Sequence, residues 1–196
     1  MDLLIESMRP EEIPEVSTLL GKTYISVPLI ITALGANPHR CEAMMRLMLD
    51  KLPGNISVAK DNGLIVGAMR YVNWPGCLPQ PLKKFLMMPR MLKACRGSTP
   101  KVLKWLSVWE KHDPRQPHWH IGALGVLPER QGQGIGSQLL TCFCEHVDRL
   151  GAASYLETEK PENVRLYQRF GFEVVEEDEV IGVSSWFMWR SPQPKE

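Results

Sequence analysis

The chain is short of every feature that marks a specialised class. No apolar run approaches the roughly 18 residues that a membrane span needs. The opening stretch, MDLLIESMRPEE, lacks the basic-then-apolar order of a secretory leader. Charge of one sign is missing too: 23 Lys and Arg stand against 22 Asp and Glu, for a net charge of +1. That balance gives no broad field to draw the chain to nucleic acid or to an anionic membrane. Cysteine is sparse, with five residues and no CxxC pair. An odd, scattered set excludes a disulfide framework and leaves free thiols as the expectation. Cys142 and Cys144 stand two apart, so on a helix they point about 200° away from each other. Internal repeats and low-complexity tracts are also absent. These absences predict a cytoplasmic protein with no nucleic-acid or membrane partner.

What is present is an ordinary globular composition, 44% hydrophobic and 23% charged over 196 residues. The length suits one domain, residues 1–196, with a sizeable core. LLIESM at 3–8 reads as a strand, and RPEEIPEVSTLLGKTY as an amphipathic helix with an acidic first turn. Residues 38–52 read as a second helix. ISVAKDNGLIVGAMRYVNW is a hairpin about Asp61-Asn62-Gly63. Two helices follow in 82–113, parted by Gly97 to Pro100, with Met, Leu and Trp stripes that predict burial. HWHIGALGVL is then a strand, whose period of two puts His118, His120, Gly122, Leu124 and Val126 on one face. A glycine turn, a helix through Leu150, the strand ASYLETE and a short helix from Pro161 to Phe170 come next. Two β runs close the chain, FEVVEEDEV and SSWFMWR. The pattern is a mixed α/β domain.

The glycine turn carries the chemistry. LPERQGQGIGSQLL places Gly132, Gly134 and Gly136 where a helix begins. Glycine allows positive φ and removes side chains that would block a ligand. The first N–H groups of a helix have no partner within it, and with the dipole they form an anion site. A Rossmann turn would need a third glycine where Ser137 stands, and a Walker loop a Lys-Ser/Thr pair that is missing. The remaining pattern is Gln/Arg-x-x-Gly-x-Gly/Ala after a strand, which Gln131, Gly134 and Gly136 fit, with Arg130 and Gly132 flanking.

That loop resembles the acyl-CoA diphosphate loop of the GNAT acetyltransferases. IGALGVLPE is similar to the fourth strand of that fold, and LETEKPENVRLYQRFGF to its second motif. Residues 115–190 carry the likeness, and the block from His112 to Ser137 is nearest to the puromycin N-acetyltransferase type. The resemblance implies a GNAT fold: a central mixed, mostly antiparallel sheet flanked by helices, with an extra helical segment around 82–113. It implies acetyl-CoA as co-substrate. Leu124, Gly125 and Val126 would pair with the pantetheine arm like an added strand. Gln131, Gly132, Gln133, Gly134, Ile135, Gly136 and Ser137 would cradle the diphosphate. Asn163 would bond the arm, with helix capping as its alternative, and Tyr167, four residues on, would share its helix face.

The implied reaction is direct attack of a neutral primary amine on acetyl-CoA. Deprotonating an alkylamine of pKa near 10.4 at pH 7 costs about 4–5 kcal/mol, so a base matters. Tyr167 is the expected acid for the leaving thiolate, and a backbone N–H near Leu124 or Gly125 the oxyanion donor. The base is left open between His120 and a water chain, with Glu157 and Glu159 behind them. No metal is implied, since His118-x-His120 lacks a third ligand at fixed spacing. A small-molecule amine is the expected acceptor, and residues 20–50 with the Trp-bearing segment 74–112 its expected walls. A protein lysine or N-terminus, or acyl-CoA binding without catalysis, are the rival readings. SSWFMWR is apolar enough to pair with a second chain as a homodimer.

Overall fold

A computed structural model describes residues 3–78 and 81–193. In chain order the elements are β1 (Leu3–Ser7), α1 (Ile13–Tyr24), α2 (Pro28–Leu34), α3 (Pro38–Lys51), β2 (Asn55–Asp61) and β3 (Leu64–Asn73). Then come α4 (Pro81–Cys95), α5 (Thr99–His112), β4 (Trp119–Val126), α6 (Ile135–Arg149), β5 (Ser154–Thr158), α7 (Pro161–Gln168), β6 (Glu173–Val180) and β7 (Val183–Arg190). The strands make one sheet in the order β1-β2-β3-β4-β5-β7-β6. Every pairing is antiparallel except β4 with β5.

Local chemistry explains most of these elements. Asn62 and Gly63 both hold positive φ, 50° and 81°, which is the type I′ turn that matches strand twist. Proline at its first residue opens α3, and the Asn37 side chain caps it by accepting from the Arg40 N–H. α6 buries one stripe, Ile135, Leu139, Leu140, Phe143 and Val147, against the sheet. Two apolar clusters result. One gathers Leu20, Leu29, Leu34, Trp105, Tyr155 and Phe187 from α1, α2, α5 and the sheet. The other joins α6 and α7 to the opposite face through Met69, Leu139, Phe143, Tyr167 and Phe172.

Four expectations change in the folded chain. First, α2 is an additional helix. Its sequence, PLIITAL, is apolar almost throughout and shows no helical stripe, yet Leu29, Ile30, Ala33 and Leu34 are all buried. Its end signals are Pro28 at the first position and a left-handed Gly35 at the cap. Second, among the described residues the apolar stripe of α4 is core only at its C-terminal end, where Met91, Ala94 and Cys95 join the first cluster. Leu82, Phe85, Leu86 and Leu92 are exposed, whereas α5 buries Val102 and Trp105. Third, β7 lies between β5 and β6. Its apolar run serves burial and has no free edge for a second chain. The edge is β6, where Glu173, Glu176, Glu177, Asp178 and Glu179 stand exposed and discourage edge pairing.

The fourth change decides the site. The β3–β4 register slips between Arg70 and Tyr71, so Gly122 is an extra residue in β4. A Cβ at Gly122 would stand 2.6 Å from the Arg70 guanidinium, which packs into that space. The bulge reverses the alternation. Ile121 and Ala123 are two apart yet bury in opposite clusters. His118 and His120 therefore lie against Tyr155 on one face, and Leu124 and Val126 face α6 on the other.

Candidate active site

Parallel strands β4 and β5 pair over only three positions, Trp119 to Ile121 against Ser154 to Leu156. Beyond them the rest of β4 has no partner on that side, and a cleft opens. Its cavity is about 510 Å³, within the range of ligand sites. Leu124, Gly125 and Val126 line it, with Gly132, Gly134, Gly136, Asn163 and Tyr167. The fold thus brings the strand, the glycine turn and the second motif together.

The backbone of β4 alternates between its two edges. The Leu124 N–H donates to the Tyr24 hydroxyl at 2.9 Å, and that hydroxyl stands 3.3 Å from the Leu124 carbonyl oxygen. The Val126 carbonyl accepts from Thr23 Oγ1 and from Gln131 Nε2, both at 3.1 Å. Leu124 and Val126 therefore turn their polar groups to the cleft. Gly125, paired opposite Ala68, turns its own toward β3. Its need for glycine is steric: a Cβ there would meet Leu20 Cδ2 of α1 at 2.7 Å. Of the two candidate oxyanion donors, only the Leu124 N–H points the right way.

In the glycine turn, Gly132 and Gly134 hold φ of +76° and +80°, and Gly134 is the N-cap of α6. A Cβ at either would meet nothing within 4 Å. These glycines serve backbone conformation, and the space over the helix start stays open. The first N–H groups of α6 face that space without helical partners. Ile135 buries its side chain in the core and offers the cleft only its backbone. Gln133 accepts from Arg130 Nε at 3.0 Å, and Arg130 also pairs with Asp61, which braces the turn from behind. Gln133 is the one predicted loop residue outside the cleft lining. Residues 131–137 otherwise fit a diphosphate: open backbone donors at a helix N-terminus.

Asn163 does not cap α7. The N-cap is Lys160, and the Asn163 amide instead donates to Thr158 Oγ1 at 3.3 Å, across the mouth of the cleft. Tyr167 is 7% exposed and packs edge-on against Phe172. Burial raises its pKa, so the phenol stays protonated.

His120 is placed elsewhere. Its ring nitrogens face Asp113 Oδ2 at 3.1 Å and Glu157 Oε2 at 2.8 Å, and it is not among the residues lining the cleft. It lies in the stretch of β4 still paired with β5, opposite Tyr155, short of where the cleft opens. Three carboxylates among the described residues do reach the lining: Glu157 and Glu159 at the end of β5, and Glu162 in the first turn of α7. Burial, with the Glu157 charge adding to it, pushes the Glu159 carboxyl up to about 7. Trp105 and Trp109 of α5 close the wall, edge-to-face at 5.0 Å. Tyr24 carries no signal in the sequence, because only packing brings α1 onto β4. Glu159, which the sequence places behind His120, stands out through a pKa that burial and the Glu157 charge raise only in the folded chain.

Comparison with known proteins agrees with this geometry. The profile described as the Acetyltransferase (GNAT) family matches residues 33–172. The chain belongs to the GNAT acetyltransferase family. A curated relative, the mycothiol acetyltransferase of Paenarthrobacter aurescens (strain TC1), is 38% identical over 71 residues, which is 33% of this chain and 22% of that protein. The match thus spans under a quarter of that relative's length. Among solved structures, a histone acetyltransferase HPA2 and related acetyltransferase from Corynebacterium glutamicum ATCC 13032 superposes with a TM-score of 0.76 at 20% identity, over 100% of this chain and 99% of that one. A Drosophila melanogaster polyamine N-acetyltransferase, which forms N-acetylagmatine, gives 0.72 at 21% identity, over 96% and 98%. Such identities establish a shared fold. Among the described residues, no single helix is long and apolar enough to cross a membrane.

Proposed function

We propose that the protein is a cytoplasmic, single-domain N-acetyltransferase that moves the acetyl group of acetyl-CoA to a primary amine of a small molecule. The observation that carries this reading is the cleft between β4 and β5, with open β4 backbone, a glycine helix start and Asn163–Tyr167 on one wall. The diphosphate binds the N–H groups of residues 132–137. The pantetheine arm bonds the Leu124 and Val126 edge and the Asn163 amide, and displaces the Tyr24 hydroxyl from Leu124. The Leu124 N–H then meets the developing oxyanion. Tyr167 gives its proton to the leaving sulfur.

Glu159 takes the proton of the attacking amine. Its carboxyl titrates near the working pH, which suits a general base, while His120 is held between two other side chains. The acceptor enters between Trp105, Trp109 and the pair Glu157 and Glu159, an apolar wall with an anionic end that suits an amine. The polyamine and agmatine chemistry of a structural neighbour supports that class. So does the likeness of residues 112–137 to the puromycin N-acetyltransferase type.

Melting with and without acetyl-CoA tests the reading. At about one hundred times the dissociation constant the ligand adds about 2.7 kcal/mol. For a chain of this size that raises Tm by roughly 5–10 °C. The shift should be absent with NAD, and thiol release should follow on adding primary amines. No shift with acetyl-CoA refutes the site. A shift with turnover on lysine peptides alone moves the acceptor to protein, and a shift without turnover on either leaves a binding protein.

A further inference from the structure

At the end of β4 remote from the glycine turn, four metal-type donors converge. Cys77 follows β3, Asp113 follows α5, and His118 and His120 open β4. One donor atom from each lies within 4.8 Å of all the others. Cys77 Sγ is 3.7 Å from Asp113 Oδ1 and 3.8 Å from His118 Nε2. His118 Nε2 is 3.7 Å from Asp113 Oδ1, and His120 Nδ1 is 3.1 Å from Asp113 Oδ2. A nitrogen–oxygen separation of 3.7 Å is too long for a hydrogen bond. In a tetrahedron about an ion with Zn–S near 2.3 Å and Zn–N or Zn–O near 2.0–2.1 Å, the N–O edge is roughly 3.4 Å and the sulfur edges roughly 3.6 Å, so this separation and the two sulfur separations each exceed their edge by only about 0.1–0.3 Å.

The surroundings fit ligation as well. His118 Nδ1–H donates to the Gln116 carbonyl at 2.8 Å, and His120 Nε2–H to Glu157 Oε2 at 2.8 Å. The first bond fixes the His118 tautomer and leaves Nε2, the nitrogen facing the cluster, as a lone pair, whereas His120 Nδ1 lies 3.1 Å from the Asp113 carboxylate and carries a proton there, which an ion bound at that nitrogen would displace. Such outer partners are what orient metal-bound histidines. Asp113 and His118 are buried, at 5% and 3% exposure. As ligands Cys77 and Asp113 would bring two negative charges, a thiolate and a carboxylate, which one divalent ion balances.

We propose that Cys77, Asp113, His118 and His120 form a tetrahedral zinc site. Thiolate with imidazole selects zinc over magnesium or calcium. Four protein ligands leave no open position, so the ion's role is structural. Cys77 and Asp113 bracket the α4–α5 insertion, and the ion ties both ends of it to the start of β4. α5 carries Trp105 and Trp109 into the cleft, and His120 anchors Glu157. The sequence shows only His118-x-His120; the fold brings the other two donors to it.

Metal analysis of the untagged full chain, expressed with zinc in the medium, is the test. One zinc per chain is expected, falling to near zero in Cys77→Ala and unchanged in Cys142→Ser, which removes an exposed thiol. Cobalt(II) added to the chelator-treated chain should give the intense visible bands of a tetrahedral site and a near-ultraviolet thiolate-to-cobalt band. This reading uses the wild-type chain and does not depend on a variant folding. Chelator should lower Tm, and zinc should restore it. A chain isolated without zinc that shows no tetrahedral cobalt bands overturns the proposal, as does zinc retained in Cys77→Ala. None of these readouts depends on acetyl-CoA binding.

Discussion

Glu159→Gln should make the protein more stable and less active, and the two effects should share one pH dependence. The carboxyl's pKa rises from 4.5 to about 7 on folding, because burial disfavours its charge and Glu157 adds repulsion. A raised folded pKa means that its stabilising contribution is full below pH 4.5 and is lost as pH rises toward 7. At 1.36 kcal/mol per unit the loss is about 3 kcal/mol. Partial exposure screens some of this, so about 2 kcal/mol is expected. Glutamine has nearly the same shape and no charge to desolvate. The variant should therefore melt like the parent near pH 4, and roughly 4–8 °C higher at pH 8. Turnover should show the converse. The parent's kcat/KM should fall about tenfold per unit below pH 7 as the base protonates. The variant should lose most of its activity and this acid limb with it. Scanning calorimetry across pH, with thiol release for rates, reads both. A variant that melts lower than the parent at pH 8, or that keeps the parent's acid limb, refutes the reasoning.

Tyr167→Phe keeps the packing against Phe172 and removes only the hydroxyl, so kcat should fall about tenfold or more. Acetyl-CoA affinity by calorimetry should stay nearly unchanged; an equal loss in both would assign the hydroxyl to binding. Gly125→Ala drives a methyl into Leu20, which is fully buried and cannot move aside, and should cost about 1–3 kcal/mol by urea unfolding. A neutral result would mean that α1 yields. Gly134→Ala meets no neighbour but must hold φ of +80°, so it should cost about 1–2 kcal/mol and weaken acetyl-CoA. Unchanged stability there would show that the turn relaxes.

The sequence by itself determined what is local. Asn62-Gly63 dictates its hairpin, because two successive positive φ angles admit few residue pairs. Gly132 and Gly134 dictate the helix start for the same reason. Asn163 and Tyr167 share a face because helical geometry puts i and i+4 together. Each of these needs only a few consecutive residues, so each is legible from the sequence alone. The tertiary structure decided whatever depends on which segments meet. Arg70 packing against Gly122 makes the bulge that puts His118 and His120 on the opposite face from Leu124 and Val126, against the strand's simple period. Strand order, which no local pattern encodes, buries β7 and leaves acidic β6 at the edge. The α4 stripe reads as core by its spacing, yet among its described residues only Met91, Ala94 and Cys95 join the core, and Leu82, Phe85, Leu86 and Leu92 stay exposed. Burial moves the Glu159 pKa toward neutrality, and folding carries Cys77 and Asp113 to the two histidines. A side chain's type is fixed by the sequence. Its pKa, its partners and the face it presents are set by neighbours far along the chain, and these exist only once the chain has folded.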